Sequence, residues 1–519
     1  MASAKVAQTP VKAWKSLIFL RAFPNGCSNP PLRWTRLTGK VTAIAERNID
    51  LAEGADSVIL RLPGILGLLI FPLCLILFLT VDARAQTLED ALTAAYLNNP
   101  ALLGQRARVR AVDEQVPQAL SNWRPSISLT GSIGRAISFN TARTFGGRDQ
   151  IRTPRGGELE ISQPLYRGGR TIAATREAEN AVKAERQRLA STEQDVLLEA
   201  ATAFLNMFRD EAVLKLNVNN EQVLKRQLQA TRDRFEVGEI TRTDVHQAEA
   251  RLAGAAADRI EAEGNLEASR AAYRNVAGKV APRNLKTPAQ PSGQPSSQEE
   301  ANKAAAVSNP NVLAAEFDRK ALQDNVDEVR GELLPSLDLN FSITRNFENV
   351  SNVNVSRGES VTASVTVPLY QQGAVYSRLR EAKQEVAEQV LATDKVRRDS
   401  VEAATRSWKN LVSARARVTS FKAQIDANVV ALEGVEREAQ VGSRTVLDVL
   451  DAEQELLDSR SDHVRAQRDQ LVAVFELKAA MGQLTAKELK LKVGPYDPKE
   501  HYREVRDKWF GATSQGGAD

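Results

Sequence analysis

Apolar and polar positions alternate with period two in four short stretches of this chain and follow helical spacing in the long stretches between them. Ile127, Leu129 and Ile133 open the first alternating stretch, and Leu159 and Ile161 stand against Glu158, Glu160 and Ser162 in the second. In the third, Leu337, Leu339, Phe341 and Ile343 alternate with Ser336, Asp338, Asn340, Ser342 and Thr344. The fourth sets Val361, Ala363, Val365 and Val367 against Ser360, Thr362, Ser364 and Thr366. Period two puts apolar side chains on one face of a strand and polar ones on the other. Residues 171–236 contain neither Gly nor Pro, and 374–440 contain only Gly434. About 66 helical residues make a rod of roughly 100 Å, far longer than a globular helix. In 443–481, Val449, Ala452, Leu456, Ser459, His463, Ala466, Gln470, Ala473, Leu477 and Ala480 form one 3,4-spaced seam. Leu447, Leu450, Gln454, Leu457, Ser461, Val464, Arg468, Leu471, Phe475 and Lys478 form a second beside it. Two adjacent seams predict a helix with neighbours on both flanks, as in a closed ring of helices, although a wide stripe in an ordinary bundle has the same period.

The pattern occurs twice. Pro164-Leu165-Tyr166 returns as Pro368-Leu369-Tyr370, and Val237-Gly238 with Thr241, Asp244, Val245, Ala248 and Glu249 returns as Val441-Gly442 with Thr445, Asp448, Val449, Ala452 and Glu453. Both pairs share an offset of 204 residues, whereas Asn99-Pro100 and Asn309-Pro310 are 210 apart. The first copy thus holds about six extra residues between Ile133 and Pro164, where a loop absorbs length. The predicted organisation is a first repeat over 86–277, a linker over 278–298 holding Pro282, Pro288, Pro291 and Pro295, a second repeat over 299–490, and a loosely ordered tail over 491–519. Each repeat runs helix, strand, strand, long helix, break, second helix. First helices are predicted over 87–122 and 299–333, stopped by Pro125 and Pro335. Gly238 and Gly442 suit left-handed helix ends, and the Thr/Asp pairs after them suit helix starts, so each break reads as a hairpin tip.

Residues 1–85 read as an N-terminal extension plus signal peptide. An uncharged apolar run from Leu62 to Val81 ends in Ala83-Arg84-Ala85, which suits cleavage before Gln86; a retained membrane anchor is the alternative. Both cysteines, Cys27 and Cys74, lie upstream of that site, so the processed chain has no thiol chemistry. A net charge of +4 on 519 residues, with no basic block interleaved with aromatics, argues against nucleic acid. No phosphate loop, HExxH pair or nucleophile constellation stands out, so neither enzyme nor cofactor is expected, and the three histidines lack carboxylate or cysteine partners at ligand spacing. His463 falls within the first seam and reads as a packed residue.

Alternation alone fits a half-buried sheet in a soluble domain. On alternation alone that is the better reading; strands near the length needed to cross an outer membrane, with a Ser/Thr/Asn/Glu-rich polar face, shift it toward a barrel. Four strands cannot close one, and an open edge in lipid is not tolerated, so spanning strands require several chains to share a barrel.

The run from Val441 to Ala452, with the repeated Pro-Leu-Tyr and Asn-Pro elements, resembles the signature of the TolC-like outer-membrane efflux proteins over about residues 86–490. The resemblance implies an α+β membrane protein: a homotrimer whose chains each give four strands to a twelve-stranded outer-membrane β-barrel, continued by a long periplasmic α-helical barrel. It implies a passive exit duct of a tripartite efflux or type I secretion system, partnered by a periplasmic adaptor and an inner-membrane RND or ABC transporter. By position, Asp448 and Asp451 match the periplasmic constriction, Arg444 with Thr243 and Asp244 matches the gate, and Val237, Gly238, Val441 and Gly442 match the adaptor-docking tips. From spacing alone, a solvated charged face is the better reading of Asp448 and Asp451, and Arg444–Asp448 reads as an i,i+4 surface pair; the resemblance reverses the first. Ala439 departs from a tyrosine that some members carry three residues before the glycine. Tyr166 and Tyr370 suit an interfacial aromatic belt or ordinary packing. The alternative function is a periplasmic coiled-coil adaptor or a scaffold anchored by Leu62 to Val81.

Overall fold

The computed structural model describes residues 87–138, 150–282, 285–291, 293–351 and 353–512, all within one compact unit, Ala83–Asp519. The expected signal peptide and cleavage site, most of the first copy's extra loop and the last seven residues lie outside the described residues. The elements are α1 (Leu88–Asn98), α2 (Pro100–Asp113), α3 (Gln115–Ser121), β1 (Ser126–Ile133), β2 (Ala136–Ser138), β3 (Gln150–Arg152), β4 (Arg155–Arg167), α4 (Arg170–Glu236) and α5 (Arg242–Ala277). There follow α6 (Gln298–Ser308), α7 (Pro310–Gly331), β5 (Ser336–Phe347), β6 (Val355–Thr366), α8 (Ala374–Gln440), α9 (Val446–Ala480) and α10 (Glu500–Val505).

The sheet has the order β1-β4-β5-β6, antiparallel throughout. Its register aligns the alternation across all four strands. Ile127, Ile161, Phe341 and Val361 form one row, and the adjacent row holds Ser128, Glu160, Ser342 and Ser360. The sheet therefore has one apolar and one polar face, and many apolar side chains on β1 and β6 are exposed. Pro164, which cannot donate to a ladder, sits where the β4–β5 register slips. The short β2–β3 pair extends the β1–β4 hairpin, an element absent from the sequence expectation.

The helices expected over 87–122 and 299–333 are each interrupted. A residue before proline is driven out of the helical region, and Asn99 and Asn309 are extended. Each interruption is also a junction. Asn99 Oδ1 accepts from the Ala101 N–H at 2.9 Å, and its Nδ2 donates to the Val276 carbonyl at the end of α5, 3.2 Å away. Asn309 repeats this, accepting from Asn311 N–H at 2.9 Å and donating to the Ala480 carbonyl at the end of α9 at 3.0 Å. One asparagine thus starts a helix and fixes the end of a returning one.

The two 67-residue helices, α4 and α8, set the length of the molecule. Leu456, Leu457, Ser459, Ser461, Ala466, Ala473, Phe475 and Leu477 are buried in the two predicted seams of α9, which packs against α8 and also against α4. His463 is partly exposed on the first seam, and burial lowers its pKa. The main core gathers α1, α4, α5 and α9 around Phe204, Tyr273 and Phe475.

The tail is not loose over its described part. Tyr496 N–H donates to the Tyr96 hydroxyl at 3.1 Å, Val505 is buried, and Tyr502 packs beside Val116 and Val182 under the Arg186 guanidinium. His501 Nδ1 lies 3.4 Å from Asp113, which is fully buried and bonded to Arg186 at 3.2 Å. His246 likewise has a carboxylate neighbour, Glu249, at 3.1 Å. The expectation that these two histidines lack carboxylate partners is corrected by the fold for His501 and by an i,i+3 contact for His246.

Candidate functional site

The two hairpin tips are built alike. At the end of α4, Gly238 takes φ +81°, its N–H donates to the Phe235 carbonyl at 3.0 Å, and Glu239 N–H donates to Arg234 at 3.0 Å. At the end of α8, Gly442 takes φ +79°, with Gly442 N–H on Ala439 at 3.2 Å and Ser443 N–H on Glu438 at 3.0 Å. This pair of bonds is the Schellman closure of a helix, and the left-handed backbone at its centre favours glycine. Val237 and Val441, just before each glycine, are 72% and 80% exposed. Two apolar knobs thus stand in water at the tips.

Each following helix starts with a reciprocal cap. Thr241 N–H donates to Asp244 Oδ2 at 2.9 Å while Thr241 Oγ1 accepts from the Asp244 N–H at 3.4 Å. Thr445 and Asp448 do the same at 2.9 and 3.2 Å. These bonds satisfy donors that a helix start leaves free. The hydrogen bond from the Thr445 N–H, then that from its hydroxyl, hold the Asp448 carboxyl below its ordinary range, so it is anionic at neutral pH.

An apolar cluster of Leu224, Leu228, Val245, Ala248, Ala255, Val446 and Leu450 packs the two hairpins side by side. Between the tips lies an open cleft of about 510 Å³ bordered by Asp244, Ala439, Arg444 and Thr445. Arg444 turns to its own hairpin: Nε donates to Glu438 at 2.9 Å, and Nη1 lies 3.9 Å from Asp448. The i,i+4 pair is therefore present, alongside a Glu438 contact absent from the sequence expectation. Arg444 and Asp244 share the cleft, and Thr243 is exposed on the first turn of α5.

Asp451 lies one turn beyond Asp448 and is bonded by Arg251 of α5. Each candidate constriction carboxylate thus has a guanidinium beside it. Arg251 had no sequence signal, since its duplicate position is Glu455 and its partner is remote in sequence.

The family model described as "Outer membrane efflux protein" matches residues 91–279 and 302–483. The outer membrane efflux protein BepC of Brucella suis is 34% identical over 442 residues, covering 84% of this chain and 94% of its own. The outer membrane protein TolC of Vibrio cholerae is 30% identical over 423 residues, covering 78% and 92%. Among solved structures, the CmeC outer membrane channel of Campylobacter jejuni superposes with a TM-score of 0.68 at 16% identity, covering 82% of this chain and 90% of that one. That likeness fixes the fold as the TolC-like one: four strands per chain continued by a helical barrel.

Proposed function

We infer the working unit from one premise: this chain belongs to the outer membrane efflux protein family. It is an outer-membrane exit duct, which sets aside the adaptor and scaffold alternative. The lipid-crossing role is assigned to the two-faced sheet, whose apolar row Ile127, Ile161, Phe341 and Val361 suits contact with acyl chains.

The working unit we propose is a homotrimer. The observation that carries the sharing of one barrel is the pair of sheet edges left free among the described residues, since β1 and β6 are the outer strands, each bonded on one side only. The count of three is what the TolC-like fold implies. In lipid those free N–H and C=O groups have no water to bind. Pairing β1 of one chain with β6 of the next satisfies both edges, and three copies give twelve strands. The apolar face then meets lipid and the Ser/Thr/Asn/Glu face lines the lumen. Detergent-extracted, unheated protein is expected to weigh three chains and to carry β1–β6 crosslinks between cysteines placed on those strands. A monomeric mass, or crosslinks confined to one chain, would overturn the trimer.

The same reading places the gate at the tips. Threefold symmetry gathers Asp448 and Asp451 about the axis as a cation-attracting constriction. Arg444, which borders the cleft with Asp244 while bonded to Glu438 of its own hairpin, is read as the gate arginine, with Thr243 and Asp244 as its candidate partners on the other hairpin. Val237, Gly238, Val441 and Gly442 form the docking tips for a periplasmic adaptor, supported by the two exposed valines, which suit an apolar protein contact. The adaptor joins the duct to an inner-membrane RND or ABC transporter that supplies the energy. Cysteines beside Gly238 and Gly442 are expected to crosslink to a periplasmic partner in intact cells; their failure to do so would remove the docking assignment without touching the trimer.

A further inference from the structure

We propose that Trp509 and Phe510 of the C-terminal tail seat on the periplasmic leaflet of the outer membrane, at the boundary between phospholipid headgroups and acyl chains. The inference requires that the sheet lies in that membrane and does not depend on how many chains close the barrel.

The tail is held by α10 against α2, and its described part ends beside the helix-side edge of the sheet. Arg124 Nη1 donates to the Lys508 carbonyl at 2.8 Å, and the Arg124 guanidinium lies 4.9 Å from the centre of the Trp509 ring. Arg124 precedes Pro125 and the first strand residue, Ser126, while the Arg167 guanidinium at the end of β4 bonds the Asn122 side chain. Trp509 therefore stands level with the end of the barrel strands. Gln163, in register with Leu339 on the apolar face, donates to the Trp123 carbonyl at 2.9 Å. That bond ties the backbone next to Arg124 to the face turned toward lipid.

At this level both rings are open, Trp509 58% and Phe510 87% exposed, with centroids 6.5 Å apart. They are not the end of a frayed segment, because Tyr502 and Val505 are packed just upstream. Leu165 and Tyr166 at the same end of β4, and Leu369 and Tyr370 just past β6, are likewise exposed. Aromatic rings with one polar edge favour the headgroup level, and girdles of them flank membrane barrels. The guanidinium under the indole adds a cation where anionic phospholipid phosphates lie. The position of the ring level with the strand ends and this charge favour phospholipid over a second protein.

The test compares the full chain with its Trp509→Phe variant. Both are reconstituted in vesicles of phosphatidylethanolamine and phosphatidylglycerol carrying phosphatidylcholine brominated either near the headgroup or deep in the acyl chain. The difference in tryptophan emission isolates Trp509 from the chain's other tryptophans, Trp14, Trp34, Trp123 and Trp408. A blue-shifted difference spectrum, quenched severalfold more by shallow than by deep bromines, is the expected result. Emission typical of indole in water, without quenching, overturns the proposal. A blue-shifted spectrum that no bromine quenches also overturns it, because the ring is then covered by protein. As a second readout, Phe510→Ser in the same chain is expected to shift the Trp509 emission to the red in these vesicles; no shift counts against the seat.

Discussion

Arg251 on α5 forms a salt bridge with Asp451 on α9, 200 residues further along the chain, and so fastens the first hairpin to the second. Both side chains are about half exposed, where a single ion pair contributes roughly 0.2–1 kcal/mol. Three copies acting together in a symmetric tip are expected to bias opening severalfold.

Arg251→Ala is therefore expected to raise the open-channel fraction in planar bilayers. Arg444→Ala, which removes the Glu438 and Asp448 contacts, is expected to act in the same direction, and the double variant to open further than either. If Arg251→Ala gates like the unmodified chain while Asp451→Asn does not, the bridge has no part in closure.

Asp448→Asn with Asp451→Asn is expected to weaken cation selectivity without unfolding the tips, because an asparagine oxygen at 448 can still accept the Thr445 N–H. Reversal-potential measurements under a salt gradient read this directly. Unchanged selectivity would move the constriction elsewhere in the duct.

Acid has a defined effect on the start of α9. The Asp448 pKa is lowered in the folded tip relative to its ordinary value of 3.8, chiefly by the Thr445 N–H. A lowered folded pKa means that the stabilisation is fully present above 3.8 and is lost as pH falls through the folded value below it. Hydrogen-exchange protection of the amides after Thr445 is expected to hold at neutral pH and collapse only in that acid window. Thr445→Ala is expected to lower protection at neutral pH and to shift the remaining loss upward toward the ordinary value.

Asn99→Ala and Asn309→Ala are each expected to cost about 1–2 kcal/mol, through a lost helix cap and a carbonyl of the returning helix left unpaired. Faster thermal dissociation of the detergent-resistant assembly measures it. An effect no larger than that of a surface substitution such as Lys303→Ala would show that the junctions are not shared.

Leu450 is almost fully buried in the cluster between the hairpins, so Leu450→Ala is expected to cost about 2–5 kcal/mol locally. Proteolysis of the tips should accelerate while the barrel end stays intact. Uniform loss of resistance along the chain would contradict a local role.

The sequence by itself determined the features that depend on near neighbours. The alternation of Leu337 to Ile343 specified a two-faced strand, and the Gly- and Pro-free runs specified both long helices to within a residue of Arg170–Glu236 and Ala374–Gln440. Gly238, Gly442 and the Thr/Asp pairs after them specified the tips, because a left-handed cap and a reciprocal capping box need only residues a few positions apart. Even the interruptions at Asn99 and Asn309 were legible in principle, since proline restricts the residue before it. Tertiary structure alone decided which remote groups meet: Arg251 with Asp451, Arg444 with Glu438 rather than across the cleft, His501 with buried Asp113, and the tail laid along α2 to the foot of the sheet. Those contacts depend on how long helices coil and in which register they return, and a small change in either moves a side chain by a whole turn without altering any local pattern.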